Sequence, residues 1–303
     1  MLLLLSACMD QGVHQLYATD SWTQGDARSP IDVLWVVDDS ATMFEEQDQL
    51  ADHADAFVQA LDEAGVDFQV GVTTTDVDAD AGALRGPVLK AGDADLVDDF
   101  AEQVLVGVQG SRDEQPLYAA SLATSEPWAS TDNADLVREV SYLAVVVVTD
   151  EDDHSEGPVT DYLDDLESLG HDFGLYVVAG GLPEGCSSAL ANAVAAERLL
   201  ETVERSEGQF RSICAADFEP VMRGIGLGAA GMSDTFPLQA IPAPESLQVR
   251  VEGLSVEMDE DDGWTYEAAL NAIVFHGGAV PQPGTYIFVK YIDYGNRDIE
   301  QEG

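Results

Sequence analysis

Residues 33–43 read VLWVVDDSATM. An apolar run ends abruptly in two aspartates, a serine and a threonine. The every-second-residue spacing of Asp38, Ser40 and Thr42 lets three oxygen-bearing side chains in one turn point at the same spot. A second apolar run, YLAVVVV at 142–148, ends in Thr149 and Asp150. Between the two lies QGSRDEQPL (109–117), a Gly-led loop that opens a helix and offers Ser111. Two carboxylates and three hydroxyls make a hard donor set. It suits Mg²⁺, which takes octahedral oxygen ligands at roughly 2.0–2.1 Å and keeps several waters, and Mn²⁺ accepts the same oxygens. A cation there offsets the repulsion between Asp38 and Asp150.

The elements that must position these residues are legible as alternating strands and helices. Residues 32–37 and 142–148 are continuous apolar runs, not alternating ones, as in parallel strands covered on both faces. Leu50, Ala54, Phe57, Val58 and Leu61 fall on one helical stripe within 44–64, which Gly65 ends. Strands are expected at 66–76, 86–90 and 172–179 and in GQFRSIC (208–214). Helices are expected through Leu96–Val104, from Glu114 to about Thr124, at 159–169, along an Ala-rich stretch at 187–206, and in DFEPVMRGIGLGAA (217–230). Sustained strand–helix alternation predicts an α/β fold: a doubly wound, mostly parallel sheet flanked by helices over 31–230. In such sheets ligands bind beyond the carboxyl ends of the strands, where both oxygen-rich turns fall. After Met232 short β-like runs punctuated by Pro and Gly predict a small all-β module over 231–295, with 296–303 as a tail.

These residues resemble a known family. DDSAT after an apolar strand, Ser111 at a Gly-led helix start, and VVTD after a later strand are similar to the von Willebrand factor A domain and its metal-ion-dependent adhesion site, D-x-S-x-S followed by a Thr and then an Asp. Residue by residue, Asp38, Ser40 and Thr42 match the first part, Ser111 the Thr and Asp150 the last Asp. Thr42 stands for the usual Ser and Ser111 for the usual Thr, so both departures keep a hydroxyl. GVTTTD, TDEDD, SIC before a DF helix start, and the C-terminal FPL…P…GW.Y…N.I.F pattern further resemble A-domain lipoproteins of predatory and gliding bacteria. The resemblance spans most of 31–292. It implies a fold of the von Willebrand A (Rossmann-like) kind, a bound Mg²⁺ or Mn²⁺ completed by a partner protein's acidic side chain, and a function in adhesion or assembly rather than catalysis.

The enzymatic rival is a haloacid-dehalogenase-like phosphatase, which also places a nucleophilic Asp after an apolar strand in D-x-D-x-T. Ser40 replaces the second Asp, removing the general acid. The only lysine between Asp38 and Asp150 is Lys90, in a short strand ahead of two helices. No G-x-S-x-G, H-E-x-x-H or phosphate-cradling Gly-Lys loop occurs. His154 reads as a solvated loop residue. DVDAD (76–80) reads as an acidic turn, because Ala81 and Pro87 stand where a calcium loop needs Gly and Glu. MDEDDGW (258–264) reads as a hairpin loop, with Trp264 and Tyr266 as core. A third reading is a structural envelope module with a vestigial metal site.

Composition bounds the partners. The 303 residues carry 58 acidic and 12 basic side chains, a formal net charge of −46. No basic surface is available to displace phosphate counterions, which argues against nucleic acid, and the same charge argues against docking on an anionic membrane face. The acids are spread along the chain, so a solvated acidic surface explains them more simply than a carboxylate store for cations. At the N-terminus, Leu5-Ser6-Ala7-Cys8 fits the bacterial lipoprotein pattern, so 1–8 read as signal and lipobox, Cys8 as the lipidated residue, and 9–30 as a polar tether. The expected place is the bacterial cell envelope, at the outer membrane, with the lipid as the sole membrane contact. In that oxidising compartment Cys186 and Cys214 are expected to pair, the alternative being two buried thiols.

Overall fold

The computed structural model describes residues 16–268 and 270–294. Cys8 and the tail at 296–303 lie outside them. The chain divides into two compact units, one spanning 25–233 and the other formed by the segments up to Gln24 and from Asp234. No helix among the described residues is long and apolar enough to cross a membrane.

The larger unit is the α/β body. Its strands are β2 (Ile31–Val37), β3 (Phe68–Thr74), β4 (Leu89–Lys90), β5 (Tyr142–Val148), β6 (Phe173–Ala179) and β9 (Phe210–Ser212), in the order β4-β3-β2-β5-β6-β9. All neighbours run parallel except β3 and β4. Helices α1 (Phe44–Asp52), α2 (Ala54–Glu63), α3 (Leu96–Val104), α4 (Pro116–Thr124), α5 (Val159–Glu167), α6 (Glu197–Arg205) and α7 (Glu219–Ala229) cover both faces. The period of two along each strand sorts the core. Val33, Trp35 and Val37 of β2 meet Leu50, Phe57, Phe100 and Met222 from α1, α2, α3 and α7. Leu34 and Val36 face Leu117, Leu163 and Leu199 from α4, α5 and α6. Trp35, Phe57 and Phe100 form a ring cluster with centroids 5.1–5.3 Å apart. A strand buried on both faces has no polar face, which is why β2 and β5 read as unbroken apolar runs.

At the amino end of β2, fully buried Asp32 is held from three directions. Its carboxylate accepts the Arg138 backbone N–H and Nε at 2.6 Å each and the Ser141 hydroxyl at 2.6 Å. Arg138→Met should cost about 3–5 kcal/mol, because it strands a buried charge. Urea unfolding checks this, and a loss under about 1 kcal/mol would show that Asp32 finds water instead.

Besides a break at His53 that splits the helix expected over 44–64 into α1 and α2, the structure departs from the expected elements in two places. The Ala-rich stretch 187–206 is not one helix. β7 (Cys186–Ser187) and β8 (Asn192–Ala193) form a hairpin, and only α6 is helical. Helix propensity is a weak prior, and here Ser188 closes the turn, its hydroxyl accepting the N–H groups of Leu190 and Ala191. Cys186 and Cys214 form the expected disulfide, 28 residues apart. In the chain-entropy model a loop of this length contributes about 3–4 kcal/mol. Reduction with dithiothreitol should therefore lower the unfolding temperature of this unit by roughly 6–16 °C, which calorimetry with and without reductant checks.

The second departure concerns the tether. Residues Tyr17–Thr23 form β1, paired along its full length with β15 (Tyr286–Ile292). With β11 (Gln248–Val251) and β12 (Leu254–Ser255) they make an antiparallel sheet in the order β1-β15-β11-β12. A second sheet joins β10 (Thr235–Pro237), β14 (Ala272–Phe275) and β13 (Trp264–Glu267). The all-β module is thus present, but it includes a strand from before the α/β body. That strand is hard to see in sequence because an acid occupies its inward face. Asp20 is buried and accepts the Tyr291 hydroxyl at 2.6 Å and the Gln239 N–H at 3.1 Å. Trp264 is core, as expected.

Candidate metal site

The parallel register places three strand ends side by side. Val37 pairs with Thr74 on β3 and with Val148 on β5. The next residues, Asp38, Thr75 and Thr149, therefore emerge together at the carboxyl edge of the sheet. Asp38 is fully buried and its carboxylate is locked. One oxygen accepts the Ser40 N–H at 2.7 Å and the other the Thr149 hydroxyl at 2.6 Å. Its backbone is fixed as well: the N–H donates to Val148 O at 2.9 Å, and the carbonyl accepts Gln47 Nε2 at 2.9 Å. Gln47 also exchanges hydrogen bonds with Gly107, tying the first turn to the loop after α3.

The turn then climbs outward. Ser40 is buried, Thr42 is exposed, and their hydroxyls lie 3.1 Å apart. The Thr42 hydroxyl is near enough to the carboxylate of buried Asp150 to favour its charged form. Four of the five expected ligands, Asp38, Ser40, Thr42 and Asp150, thus converge. Ser111 is half-buried nearby, and its hydrogen bonds are local to the loops: its N–H donates to Asp76 at 3.1 Å and its hydroxyl accepts the Asp113 N–H at 3.0 Å.

Three acids not singled out by the motif also gather here. Glu46 on α1, Asp39 in the turn and Glu114 just before α4 are all buried. Gly110 allows the loop its approach: its N–H donates to Asp39 O at 2.8 Å, and a Cβ at this position would fall 2.1 Å from an Asp39 carboxylate oxygen. Burial, reinforced by the charges of Asp76 and Asp38, pushes Asp39 up to about 6. Burial, with Asp150, Glu45 and Asp38 nearby, pushes Glu46 up to about 7. Burial and the Asp38 charge push Glu114 up to about 8. Asp38 and Asp150 are raised too, chiefly by burial. In sequence these acids look like any of the chain's many solvated ones. Only their burial in the folded chain sets Asp39, Glu46 and Glu114 apart.

Four buried carboxylate oxygens here accept no hydrogen bond: Asp39 Oδ1, Glu46 Oε2, Glu114 Oε1 and Asp150 Oδ1. A buried, unpaired carboxylate oxygen is costly. A hard divalent cation beside the Ser40 and Thr42 hydroxyls would offset that cost, so the residues present fit the Mg²⁺ or Mn²⁺ their types suggest. No group of three or more His, Cys, Asp or Glu side chains converges to hold a metal among the described residues. The set is hydroxyls with carboxylates behind them, not a carboxylate cage.

The remaining motifs are unremarkable. Asp76 caps its own acidic turn, accepting the N–H groups of Asp78 and Ala79 at 3.0 Å each. His154 is partly exposed and lies 3.5 Å from Asp113. Lys90 pairs in register with Gln69, near the amino end of β3, and so sits at the opposite edge of the sheet from Asp38.

No protein-family model matches this chain, and no curated protein matches it by sequence. Among solved structures it is similar to the pilus adhesin SpaC from Lactobacillus rhamnosus GG in its open conformation, at 11% identity and a TM-score of 0.46, covering 91% of this chain and 40% of that one. It is similar to the pilus adhesin RrgA from Streptococcus pneumoniae, at 7% identity and a TM-score of 0.36, covering 92% and 59%. It is also similar to proximal thread matrix protein 1 from the mussel byssus with a zinc-occupied MIDAS motif, at 13% identity and a TM-score of 0.40, covering 73% and 52%. The chain spans about half the length of these structures.

Proposed function

We propose that this chain is a metal-dependent, protein-binding protein of the von Willebrand A kind, in which a Mg²⁺ or Mn²⁺ ion at the strand ends takes an acidic side chain from a partner protein. The observation that carries this reading is the presence of unpaired, buried carboxylate oxygens at the same edge of the sheet as the paired Ser40 and Thr42 hydroxyls. The gradient from buried Asp38 to exposed Thr42 supports it, because a cation between them would lie within reach of solvent and of a visiting side chain. Exposed apolar side chains flank the place. Phe44 follows the turn directly and is 57% exposed; Val194 is 54% exposed, and its N–H donates to Asp150 O at 3.0 Å. Such residues suit a protein surface more than a small solute.

The rest of the role follows the sequence. The lipobox at Cys8 favours a lipid-anchored protein of the bacterial envelope, acting in adhesion or assembly. Binding is favoured over catalysis because Ser40 offers no general acid and Lys90 is remote from Asp38. A structural module with a vestigial site is the second reading.

An array of synthetic peptides with and without Asp or Glu tests the proposal. Acidic peptides should retain the protein in Mg²⁺ and lose it in EDTA or with Asp38→Ala. Retention that survives EDTA would contradict the metal's role. Binding should also strengthen at moderate salt. The net charge of −46 repels an acidic partner at long range, and salt shortens that reach to about 8 Å while contact at the metal persists. A steady fall in affinity with salt would contradict this.

A further inference from the structure

We propose that Glu114, rather than Ser111, is the ligand that the loop before α4 supplies to the cation, so that one direct ligand is a carboxylate of the chain itself. The inference rests on the metal-binding reading above.

The backbone straddles the end of β2 at this point. The N–H of Gln115 donates to Thr75 O at 3.3 Å, beyond β3, and the carbonyl of Glu114 accepts the His154 N–H at 2.7 Å, beyond β5. Thr75 flanks Asp38 in register on the β3 side and His154 lies in the loop that follows β5, so the backbone around Glu114 is held by the segments after both neighbours of the strand that carries the motif. Its side chain is fully buried. The Thr75 hydroxyl donates to Oε2, which fixes the carboxylate plane. The other oxygen, Oε1, is buried and accepts nothing. Of the charges felt by Glu114, that of Asp38 is the strongest and that of Asp39 the next.

Ser111 differs in each respect. It is half-buried, its N–H goes to Asp76, and its hydroxyl already accepts from Asp113. A buried carboxylate with one oxygen held and the other free is the arrangement of a ligand without its ion. A glutamate with no such task would cost stability, and a neutral residue would pack there without penalty. The resulting set is Ser40, Thr42 and Glu114, with Asp38 and Asp150 behind, which respects the absence of any three-carboxylate convergence among the described residues. An anionic direct ligand makes the cation less electrophilic but holds it before any partner arrives.

Electron paramagnetic resonance of free Mn²⁺, titrated with partner-free protein in high salt, separates the possibilities. Wild type should bind one tightly held ion. Glu114→Gln should weaken it at least about 10–100-fold, while Ser111→Ala leaves it unchanged. Glu114→Asp keeps the charge, withdraws the oxygen by one methylene and should also weaken binding; the unfolding temperature of each metal-free variant shows that it folds. At saturating protein, Mn²⁺ bound to Glu114→Gln should also gain a coordinated water, seen as faster water-proton relaxation, which a merely structural role would not produce. If Ser111→Ala loses the ion and Glu114→Gln keeps it, the assignment is overturned while the site stands. If Asp38→Ala also binds like wild type, the site itself falls.

Discussion

Metal-free protein should unfold at a markedly lower temperature at pH 8 than at pH 5. Asp39, Glu46 and Glu114 have folded-state values raised to about 6, 7 and 8 by burial and by the carboxylates around them. In the unfolded chain the same groups ionise near pH 4. A raised carboxyl binds more protons folded than unfolded, so its contribution is fully present below the unfolded value and is lost as pH rises through the folded one. The window here runs from about pH 4 to about pH 8. Each tenfold gain in proton affinity on folding is worth about 1.4 kcal/mol. If solvent relaxation leaves only about a hundredfold gain over the three groups together, the unfolding temperature of the larger unit falls by roughly 5–10 °C across that window. The high net charge acts in the same direction, and Glu114→Gln separates the two: it should flatten the pH dependence without altering the general repulsion. Calorimetric scans in EDTA at several pH values measure this. A stability flat from pH 5 to pH 8 would mean that these carboxylates are solvated.

A second large effect follows from the conflict between stability and ion binding. Asp150→Asn should stabilise the metal-free protein at pH 8 and weaken its response to cations about 10–100-fold. Asp150 is buried, is raised by burial, and has an oxygen that nothing satisfies, so a neutral amide of the same shape removes repulsion against Asp38. The wild type should instead be rescued by the ion. At a concentration about 100 times its dissociation constant, a ligand adds about 2.7 kcal/mol, or roughly 5–10 °C for a unit of this size. The two proteins should therefore exchange rank: the variant melts higher in EDTA, and the wild type higher in excess MnCl₂. An Asp150→Asn variant whose melting rises with Mn²⁺ as much as that of the wild type would remove this residue from the site.

How much was legible in the sequence depended on burial. Strands covered on both faces announce themselves, and β2 and β5 with the oxygen-rich turns after them were found from apolar runs alone. Strands with a mixed face do not. β1 carries Asp20 inward and so passes for a tether, although Tyr291 and Gln239 satisfy that acid. The Ala-rich stretch before α6 shows the complementary error, where local propensity yields to a turn closed by Ser188 and to the disulfide. At the candidate site, the motif spacing predicts that Asp38, Ser40, Thr42 and Asp150 lie together, and one turn and one neighbouring strand bring them to the same edge of the sheet. Glu46 and Glu114 were not legible. Glu46 comes from the first turn of α1, directly after the motif, and Glu114 from the distant loop before α4, and among so many acids nothing in composition marks the two that the packing turns inward.

The central claim is that the strand ends hold a divalent cation. Calorimetric titration of Mn²⁺ into wild type and Asp38→Ala, in high-salt buffer that suppresses loose binding by surface carboxylates, tests it most directly. The proposed function predicts one saturable site in the wild type that disappears in the variant, since Asp38 organises the turn through Ser40 and Thr149. Two proteins that titrate alike would contradict it and would leave the structural-module reading in its place.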